Sequence, residues 1–296
     1  MVGSPPFGIS TRLYHGHRLG REHLREIAAA GFAAIELVAT RTHVDYHNEA
    51  ATADLQQWLA EAGLTLTSVH APVAEGFTAG RSGPALNLAS PDAGVRERAL
   101  DEATRALHIA RRLPFATLVV HAGVLRAQQQ GAGENSRDAA RRSIDALMSA
   151  ARPLGVTIAV ELIANELSRS AALVHFVEDV LDSGAAGICL DLGHAQLEGD
   201  LGDAIDHVSE HIAVVHAHDN RGRSDDHLVP FDGTIDWPAA MTALQKVGYE
   251  GPVILEVGPG GGSTKDTALR SRAAASRLEH LLADVWADRE QWHDDL

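Results

Sequence analysis

The sequence is poor in cysteine and in long apolar runs, and each shortage excludes a class of structure. Cys189 is the only cysteine among 296 residues, so no disulfide can form within the chain, and a reducing compartment is compatible with it. No apolar run approaches the roughly 20 residues that a membrane-spanning helix needs. Residues 1–10 lack the basic segment and apolar stretch of a secretion signal. We therefore expect a cytoplasmic protein without a membrane partner.

Cations are also scarce. Lys and Arg number 25 against 40 Asp and Glu, which gives a formal net charge of −15. Affinity for nucleic acid comes largely from Lys and Arg that neutralise phosphates, so this balance disfavours a nucleic-acid partner. Histidine, in contrast, is abundant: the 17 histidines exceed what folding requires, and their positions should indicate the function.

Eight short β-like runs alternate with longer helical patterns along nearly the whole chain. The runs are residues 7–11, 34–39, 64–70, 117–121, 157–162, 187–192, 213–218 and 252–257. The helical patterns are residues 21–30, 52–62, 95–112, 137–151, 172–182, 201–211 and 237–247, with a last one after residue 264. Eight strand–helix units in series predict a parallel α/β sheet closed into a (β/α)8 TIM barrel. A doubly wound open sheet is the weaker alternative, because no G-x-G-x-x-G pattern follows the first run.

We predict a single TIM-barrel domain over residues 1–296. The barrel covers about 7–283, and an acidic tail follows at 284–296. The longest turn-rich segments, 71–90 and 220–236, follow the third and seventh runs. They therefore belong at the carboxyl end of the barrel, where barrels build active sites.

Side chains that bind metals or move protons stand at the ends of six successive runs. They are His70, His121, Glu161, Asp191, His216 and Glu256. A lone histidine at a strand end is more often a packing residue, but burying an unpaired carboxylate costs several kcal/mol, so the joint pattern favours one shared site. Glu161, Asp191, His216 and Glu256 supply one nitrogen and several oxygens, a mixture that suits Mn, Mg, Co or Zn.

The strand ends resemble the xylose-isomerase-like barrel superfamily, which contains sugar phosphate isomerases and epimerases and the endonuclease IV type of abasic-site nuclease. The motifs that carry the resemblance are HAP at 70–72, NLASP at 87–91, HAG at 121–123, DLGH at 191–194, VHAHDN at 215–220, DDHL at 225–228 and GTIDW at 233–237. The resemblance implies metal ligands at Glu161, Asp191, His216 and Glu256. In the epimerase branch the two glutamates also serve as the acid/base pair.

The nuclease branch binds three zinc ions, and its additional ligands match residues of this sequence. These are His70, His121, His194, Asp225 and His227. Two departures point away from that branch. Val73 stands where the nucleases carry a tyrosine that wedges into the DNA stack, and segment 71–90 contains a single cation, Arg81.

The favoured hypothesis is a divalent-metal-dependent isomerase or epimerase for a sugar, a sugar phosphate or a polyol. Protons would pass through an enediolate between Glu161 and Glu256. Substrate contacts are expected from His121 and His227, with His194 on substrate or a second ion. Further substrate contacts are expected from His218, Arg221 and Arg223, although the two arginines equally fit a solvated basic loop.

Two other functions stay open at this point. One is a zinc-dependent phosphodiesterase that acts on abasic DNA, and the other is a barrel that binds a ligand without catalysis. The expected partner is a small sugar or sugar phosphate, and a homo-oligomer is compatible with the sequence.

Overall fold

The structure is a computed structural model that describes residues 6–294 apart from 130, 132 and 182–185, with side chains up to residue 283. Eight parallel strands form a closed barrel in which each strand pairs with the next barrel strand along the chain, and the last pairs with the first. The barrel strands are β1 Phe7–Ser10, β2 Ala34–Val38, β3 Thr65–His70, β6 Thr117–Val120, β7 Thr157–Glu161, β8 Gly187–Asp191, β9 Ile212–Ala217 and β10 Val253–Leu255. The predicted (β/α)8 TIM barrel is confirmed.

Helices surround the barrel and follow its strands in turn. They are α1 Arg21–Ala29, α2 Glu49–Ala62, α3 Ala93–Leu107, α4 Arg137–Ala151, α5 Ser170–His175, α6 Leu192–Glu198, α7 Leu201–Val208, α8 Trp237–Lys246 and α9 Thr264–Asp294. In the part of the chain that the structure describes, no helix combines the length and the apolar character needed to cross a membrane.

Two elements differ from the sequence prediction. The sequence predicts the helix after the sixth run at 201–211, yet a further helix, α6, begins directly at Leu192, because the side chain of Asp191 caps it by accepting the backbone N–H of His194 at 2.7 Å. The backbone of the predicted tail continues α9 as far as Asp294. The end of the predicted helix 172–182 lies outside the described residues, and the boundary of the tail stays a prediction.

The segment after β3 forms a small hairpin over the barrel end. Its strands are β4 Phe77–Thr78 and β5 Arg81–Ser82, paired antiparallel. The two residues between them have positive φ, +52° at Ala79 and +75° at Gly80, as a type I′ hairpin turn requires. The turn-rich segment 71–90 is therefore an ordered cover at the end of the barrel where we expect the site.

The inside of the barrel is built in layers, because side chains on a strand alternate between its two faces. One apolar interior layer consists of Val119, Ala159, Cys189, Val214 and Ile254. The residues two positions further along the same strands face the same way and form the next layer toward the carboxyl end. That layer is His121, Glu161, Asp191, His216 and Glu256. The period of the strands thus places the candidate site directly above a packed apolar floor.

Candidate active site

Four side chains from four strands converge at the top of this floor. Glu161, Asp191, His216 and Glu256 each offer a ligand atom, and these atoms all lie within 4.8 Å of one another. Their exposed fractions are 1%, 0%, 0% and 3%. Nδ1 of His216 lies 3.3 Å from Glu161, 3.7 Å from Glu256 and 3.9 Å from Asp191. Three buried carboxylates around one imidazole nitrogen form a donor set for a divalent cation, which would offset their mutual repulsion.

The other nitrogen of His216 is held by a carboxylate that the sequence analysis did not assign to the site. Nε2 of His216 donates to Glu36 at 2.9 Å, and the hydroxyl of Ser68 donates to the same oxygen at 2.9 Å. Because a carboxylate only accepts, Nε2 carries a proton. Burial would lower the pKa of His216, but Cys189, Glu36 and Glu161 outweigh it and raise the pKa well above its usual range, so without a cation Nδ1 also carries a proton and donates to Glu161 at 3.3 Å; a bound cation would take the place of that proton. Glu36 is fully buried. The one signal for it in the sequence is a glutamate near the end of the second run.

Glu161 joins this donor set to a second one. Its Oε2 lies 3.0 Å from Nε2 of His70 and 2.9 Å from Nε2 of His121. Burial alone would raise the pKa of Glu161, but its neighbours outweigh burial, His121 most strongly, and hold the pKa well below its usual range. Glu161 is therefore ionised and contacts three histidines at once.

The hydrogen bonds of His70 and His227 indicate that positive charge is needed between each ring and a neighbouring carboxylate. Nδ1 of His70 donates to the carbonyl of Ala71 at 2.9 Å, and Nδ1 of His227 donates to the carbonyl of Glu256 at 2.7 Å. In both rings Nε2 then faces a carboxylate at 3.0 Å, Glu161 and Asp225 respectively. Two acceptors at this distance need a proton or a cation between them. For His227 burial lowers the pKa, with Arg12 contributing in the same direction, so the ring is neutral and a cation fits this gap best.

A third group of donors lies beside the first. Asp191, His194 and His218 offer ligand atoms within 4.8 Å of one another, and so do His218, Asp225 and His227. The ring of His218 stacks on that of His227 with centroids 4.0 Å apart, and its Nε2 lies 3.1 Å from Asp191. Nδ1 of His194 and Nδ1 of His218 are buried and have no hydrogen-bond partner among the described residues. Burial would lower the pKa of His218, but Asp191 outweighs it and raises the pKa to about 9, so without a cation the ring is protonated and its Nε2 donates to Asp191; a further bound cation would take the place of that proton.

A cavity of about 510 Å³ opens above these groups. Of the predicted site residues, seven line it: His70, His121, Glu161, His194, Asp225, His227 and Glu256. Asp191, His216 and His218 are fully buried and do not line it. The structure therefore brings ten predicted residues into one site, with seven at the cavity surface and three buried beneath.

The cavity walls add residues that the strand-end pattern did not reveal. His15 stacks on Phe77 of the hairpin with centroids 4.5 Å apart, and both line the cavity. Arg12 also lines it, with a guanidinium nitrogen 3.7 Å from Glu256. Burial raises the pKa of Glu256, but Arg12 outweighs this effect together with nearby histidines, and the pKa is lowered. These wall residues lie in loops, where no regular spacing of residues in the sequence indicates which side chains will reach the cavity.

Two predicted substrate contacts lie away from the cavity lining. Arg221 is 65% exposed, pairs with Asp226 at 3.8 Å and lines a neighbouring cavity of about 330 Å³ that shares His227 with the active-site cavity. Arg223 is exposed as well. Their contact with substrate stays a prediction.

Asp219 organises the loop that carries these arginines. Its buried carboxylate accepts the backbone N–H groups of Phe231 and Ile235 and the indole N–H of Trp237. Asp219 lies two residues beyond the end of β9 and out of phase with His216 and His218, so its side chain turns to the loop and not to the cavity. The buried carboxylate of Asp219 therefore fixes the position of this loop beside the site.

Comparison with known proteins gives a family match over most of the chain. The family described as xylose isomerase-like TIM barrel matches residues 24–278. An uncharacterized protein from Methanocaldococcus jannaschii is 26% identical over 257 residues, which cover 84% of this chain and 83% of that protein. A D-psicose 3-epimerase from Ruminiclostridium cellulolyticum is 26% identical over 249 residues, which cover 79% of this chain and 76% of the epimerase.

Solved structures share the fold. A D-tagatose 3-epimerase-like protein superposes with a TM-score of 0.78 at 24% identity, over 94% of this chain and 98% of that one. An L-ribulose 3-epimerase gives 0.77 at 19% identity, over 97% of each chain. The IOLI protein with a binding zinc atom gives 0.74 at 15% identity, over 93% of this chain and 98% of that one. These similarities establish the barrel architecture over nearly the full length.

Proposed function

The chain belongs to the xylose isomerase-like TIM barrel family, and on that premise we propose that it is a divalent-metal-dependent epimerase or isomerase of a ketose or a related polyol. The observation that carries the proposal is the pair Glu161 and Glu256. Both line the cavity, and both belong to one buried donor set with Asp191 and His216. The similarity to a D-psicose 3-epimerase supports the same reaction class.

Glu161, Asp191, His216 and Glu256 would hold the metal ion, and the acceptor pairs around it fit a cation, as described above. Mn, Mg, Co and Zn all suit one imidazole and three carboxylates, and zinc is the ion named for the IOLI protein. When bound, a divalent ion stabilises the negative charge that develops on sugar oxygens as a carbon-bound proton leaves.

The chain's own residues would then move the proton. One glutamate takes the proton from the carbon beside the carbonyl. In an epimerisation the other glutamate, protonated beforehand, returns a proton to the same carbon. In an isomerisation a proton returns to the neighbouring carbon while the hydroxyl proton moves from one oxygen to the other. Arg12 lowers the pKa of Glu256, and the histidines around Glu161 lower the pKa of that residue, so either carboxylate can accept the substrate proton, and the one that returns a proton first takes it from solvent. His121 and His227 line the cavity and would bind substrate oxygens. His15, Phe77 and the hairpin cover one side of the cavity and limit the access of water.

The test combines metal analysis with turnover. We expect the purified protein, loaded with Mn, Mg, Co or Zn, to epimerise or isomerise at least one ketose in a panel, with exchange of a carbon-bound proton in heavy water. Glu161→Gln and Glu256→Gln should each lower kcat by about 10²–10⁴, because general acid/base catalysis supplies gains of that size. Glu97→Gln, which changes an exposed glutamate on α3, is the matched control and should leave kcat unchanged. Near-normal turnover by either active-site variant would remove that residue from proton transfer.

A second candidate, a zinc-dependent phosphodiesterase, is favoured by one observation. The two further donor groups, around His70 and His121 and around Asp225 and His227, would allow more than one ion per chain. Against it stand Val73 and the scarcity of cations in segment 71–90. Three zinc ions per chain with cleavage of abasic DNA would support the phosphodiesterase. One ion per chain with turnover of a ketose would support the epimerase or isomerase, and turnover of either kind would exclude a purely binding barrel.

A further inference from the structure

Arg12 places a positive charge in the active-site cavity. Among the described residues that line the cavity, no other lysine or arginine is present. Arg12 follows β1, and its side chain is 34% exposed, so a ligand in the cavity can reach it. The proposed proton transfer uses Arg12 only through its charge beside Glu256, and the hydrogen bonds that Arg12 can donate have no role in that transfer.

The guanidinium of Arg12 is not held by the protein. It carries five N–H donors, yet in the part of the chain that the structure describes it donates no hydrogen bond. Its ion pair with Glu256 has a nitrogen–oxygen distance of 3.7 Å, which is too long for a hydrogen bond. Arg272, whose side chain is exposed to a similar extent, donates two hydrogen bonds of 2.9 and 3.0 Å to Glu279. Arg12 therefore presents unused donors to the cavity.

The groups around Arg12 offer it little compensation of charge. Burial lowers the pKa of His15 to about 4, and His43 and Arg12 act in the same direction, so the ring of His15 is neutral near pH 7. Glu256 is the carboxylate beside Arg12, and as a metal ligand it would share its charge with the ion. A partly buried cation whose neighbouring carboxylate is engaged elsewhere is stabilised by an anion that comes from outside the chain.

The shape of a guanidinium selects the kind of anion. Two of its parallel N–H groups match two oxygens of a carboxylate or of a phosphate, and such charge-assisted pairs are about twice as strong as neutral hydrogen bonds. A sugar hydroxyl presents one oxygen without charge and would leave the charge of Arg12 unbalanced. The cavity of about 510 Å³ has room for the roughly 16 non-hydrogen atoms of a hexose phosphate, at about 30 Å³ for each.

We propose that Arg12 binds an anionic group of the substrate, so that the protein prefers an acidic ketose, with a carboxylate or a phosphate, to a neutral one. The inference rests on the proposed function and narrows its substrate class. Because Arg12 lies beside Glu256, one of the two residues that would move the proton, the anionic group belongs on a carbon next to the reacting ones. Arg12 is thus a residue that determines specificity.

Calorimetric titration of the metal-loaded full chain with three matched ketoses tests the proposal. D-fructose, 2-keto-D-gluconate and D-fructose 1-phosphate differ only at the first carbon, which carries a hydroxymethyl group, a carboxylate or a phosphate ester. We expect at least one of the two anions to bind at least about tenfold more tightly than D-fructose, because hydrogen bonds between charged groups contribute gains of that size. Which anion binds more tightly separates the carboxylate from the phosphate.

Variants of Arg12 identify the source of this preference. In Arg12→Gln the three ketoses should bind within about threefold of one another, and Arg12→Lys, which keeps the charge without the paired N–H groups, should retain part of the preference. Arg18→Gln is the matched control, because Arg18 is an exposed arginine of the same loop that does not line the active-site cavity. For ketoses that are turned over, Arg12→Gln should raise the KM of an anionic substrate more than that of a neutral one, whereas a merely structural role would change both alike.

The inference and the proposed function can fail separately. The inference is overturned if wild type binds the three ketoses equally, or if the anions keep their advantage in Arg12→Gln, as they would if they bound the metal ion directly. Turnover of neutral ketoses without a preference for anions that depends on Arg12 would also overturn it but would leave the proposed function in place. Anion binding that depends on Arg12, without exchange of a carbon-bound proton in any ketose, would support the role of Arg12 and contradict the proposed reaction.

Discussion

Glu36 and His216 show how a single buried residue can decide which atom binds a metal. The carboxylate of Glu36 holds the proton of His216 on Nε2, and that leaves Nδ1 to face Glu161, Asp191 and Glu256. A ligand histidine that donates its other N–H to a carboxylate keeps its tautomer and its ring orientation. Glu36 therefore acts on the metal centre as a positioning residue without lining the cavity.

We predict that Glu36→Gln lowers metal affinity by about 10- to 100-fold, because an amide can turn its N–H toward His216 and no longer fixes the tautomer. The measurement is the Kd of the apoprotein for Mn or Zn at constant pH. Ser68→Ala is the matched control: it removes one hydrogen bond to Glu36 but keeps the carboxylate, so its effect should be much smaller. Equal affinities for wild type and Glu36→Gln would show that Glu36 does not position His216.

At the scale of elements, the start of α6 and the end of β9 fit together around Gly193. Asp191 ends β8 and caps α6. His194 therefore lies in the first turn of α6, beside the site. A Cβ on Gly193 would lie 2.1 Å from Cε1 of His218, much closer than any real contact. The glycine is therefore required because a ring from the neighbouring strand occupies the space of a side chain.

We expect Gly193→Ala to destabilise the fold by about 1–3 kcal/mol and to weaken metal binding, because the ring of His218 must move off His227 and Asp191. Urea unfolding of the apoprotein measures the first effect, and metal titration measures the second. Gly16→Ala is the control, since a Cβ there meets no atom within 4 Å. A Gly193→Ala protein as stable as wild type would show that His218 has room to shift.

At the scale of the whole molecule, part of the acidic surplus is concentrated inside the barrel. The net charge is −15, and Glu36, Glu161, Asp191 and Glu256 are all buried at the carboxyl end. Buried carboxylates lose hydration and repel one another, so a bound cation should stabilise the folded state over the unfolded chain. Part of the net negative charge therefore lies inside the barrel and not on the surface.

We predict that chelation lowers the free energy of unfolding by about 2–3 kcal/mol relative to protein with metal at about 100 times its Kd, because the ion binds the folded state alone. Urea denaturation with and without metal measures the difference, and the Tm should fall in parallel. In Asp191→Asn the same comparison should give a smaller difference. An unfolding free energy that is unchanged when the ion is removed would contradict this account of the site.

Local periodicity made most of the fold and much of the site predictable. The alternation of runs and helical patterns predicts eight strand–helix units, and the period of two along each strand explains why Glu161, His216 and Glu256 share the interior with the apolar residues before them. Parallel strands present their carboxyl ends together, so order along the chain was enough to group the strand-end residues. The sequence by itself therefore determined the barrel and the residue types of its polar layer.

The tertiary structure decided the contacts between residues that are distant in the sequence. Glu36 reaches His216 across the barrel interior, Arg12 and Phe77 reach the cavity from loops, and Arg221 stays outside the cavity lining. These relations follow from strand register, from the direction of each loop and from the space left by Gly193. No regular spacing in the sequence indicates these contacts, because contacts across a closed barrel join residues that are far apart in sequence.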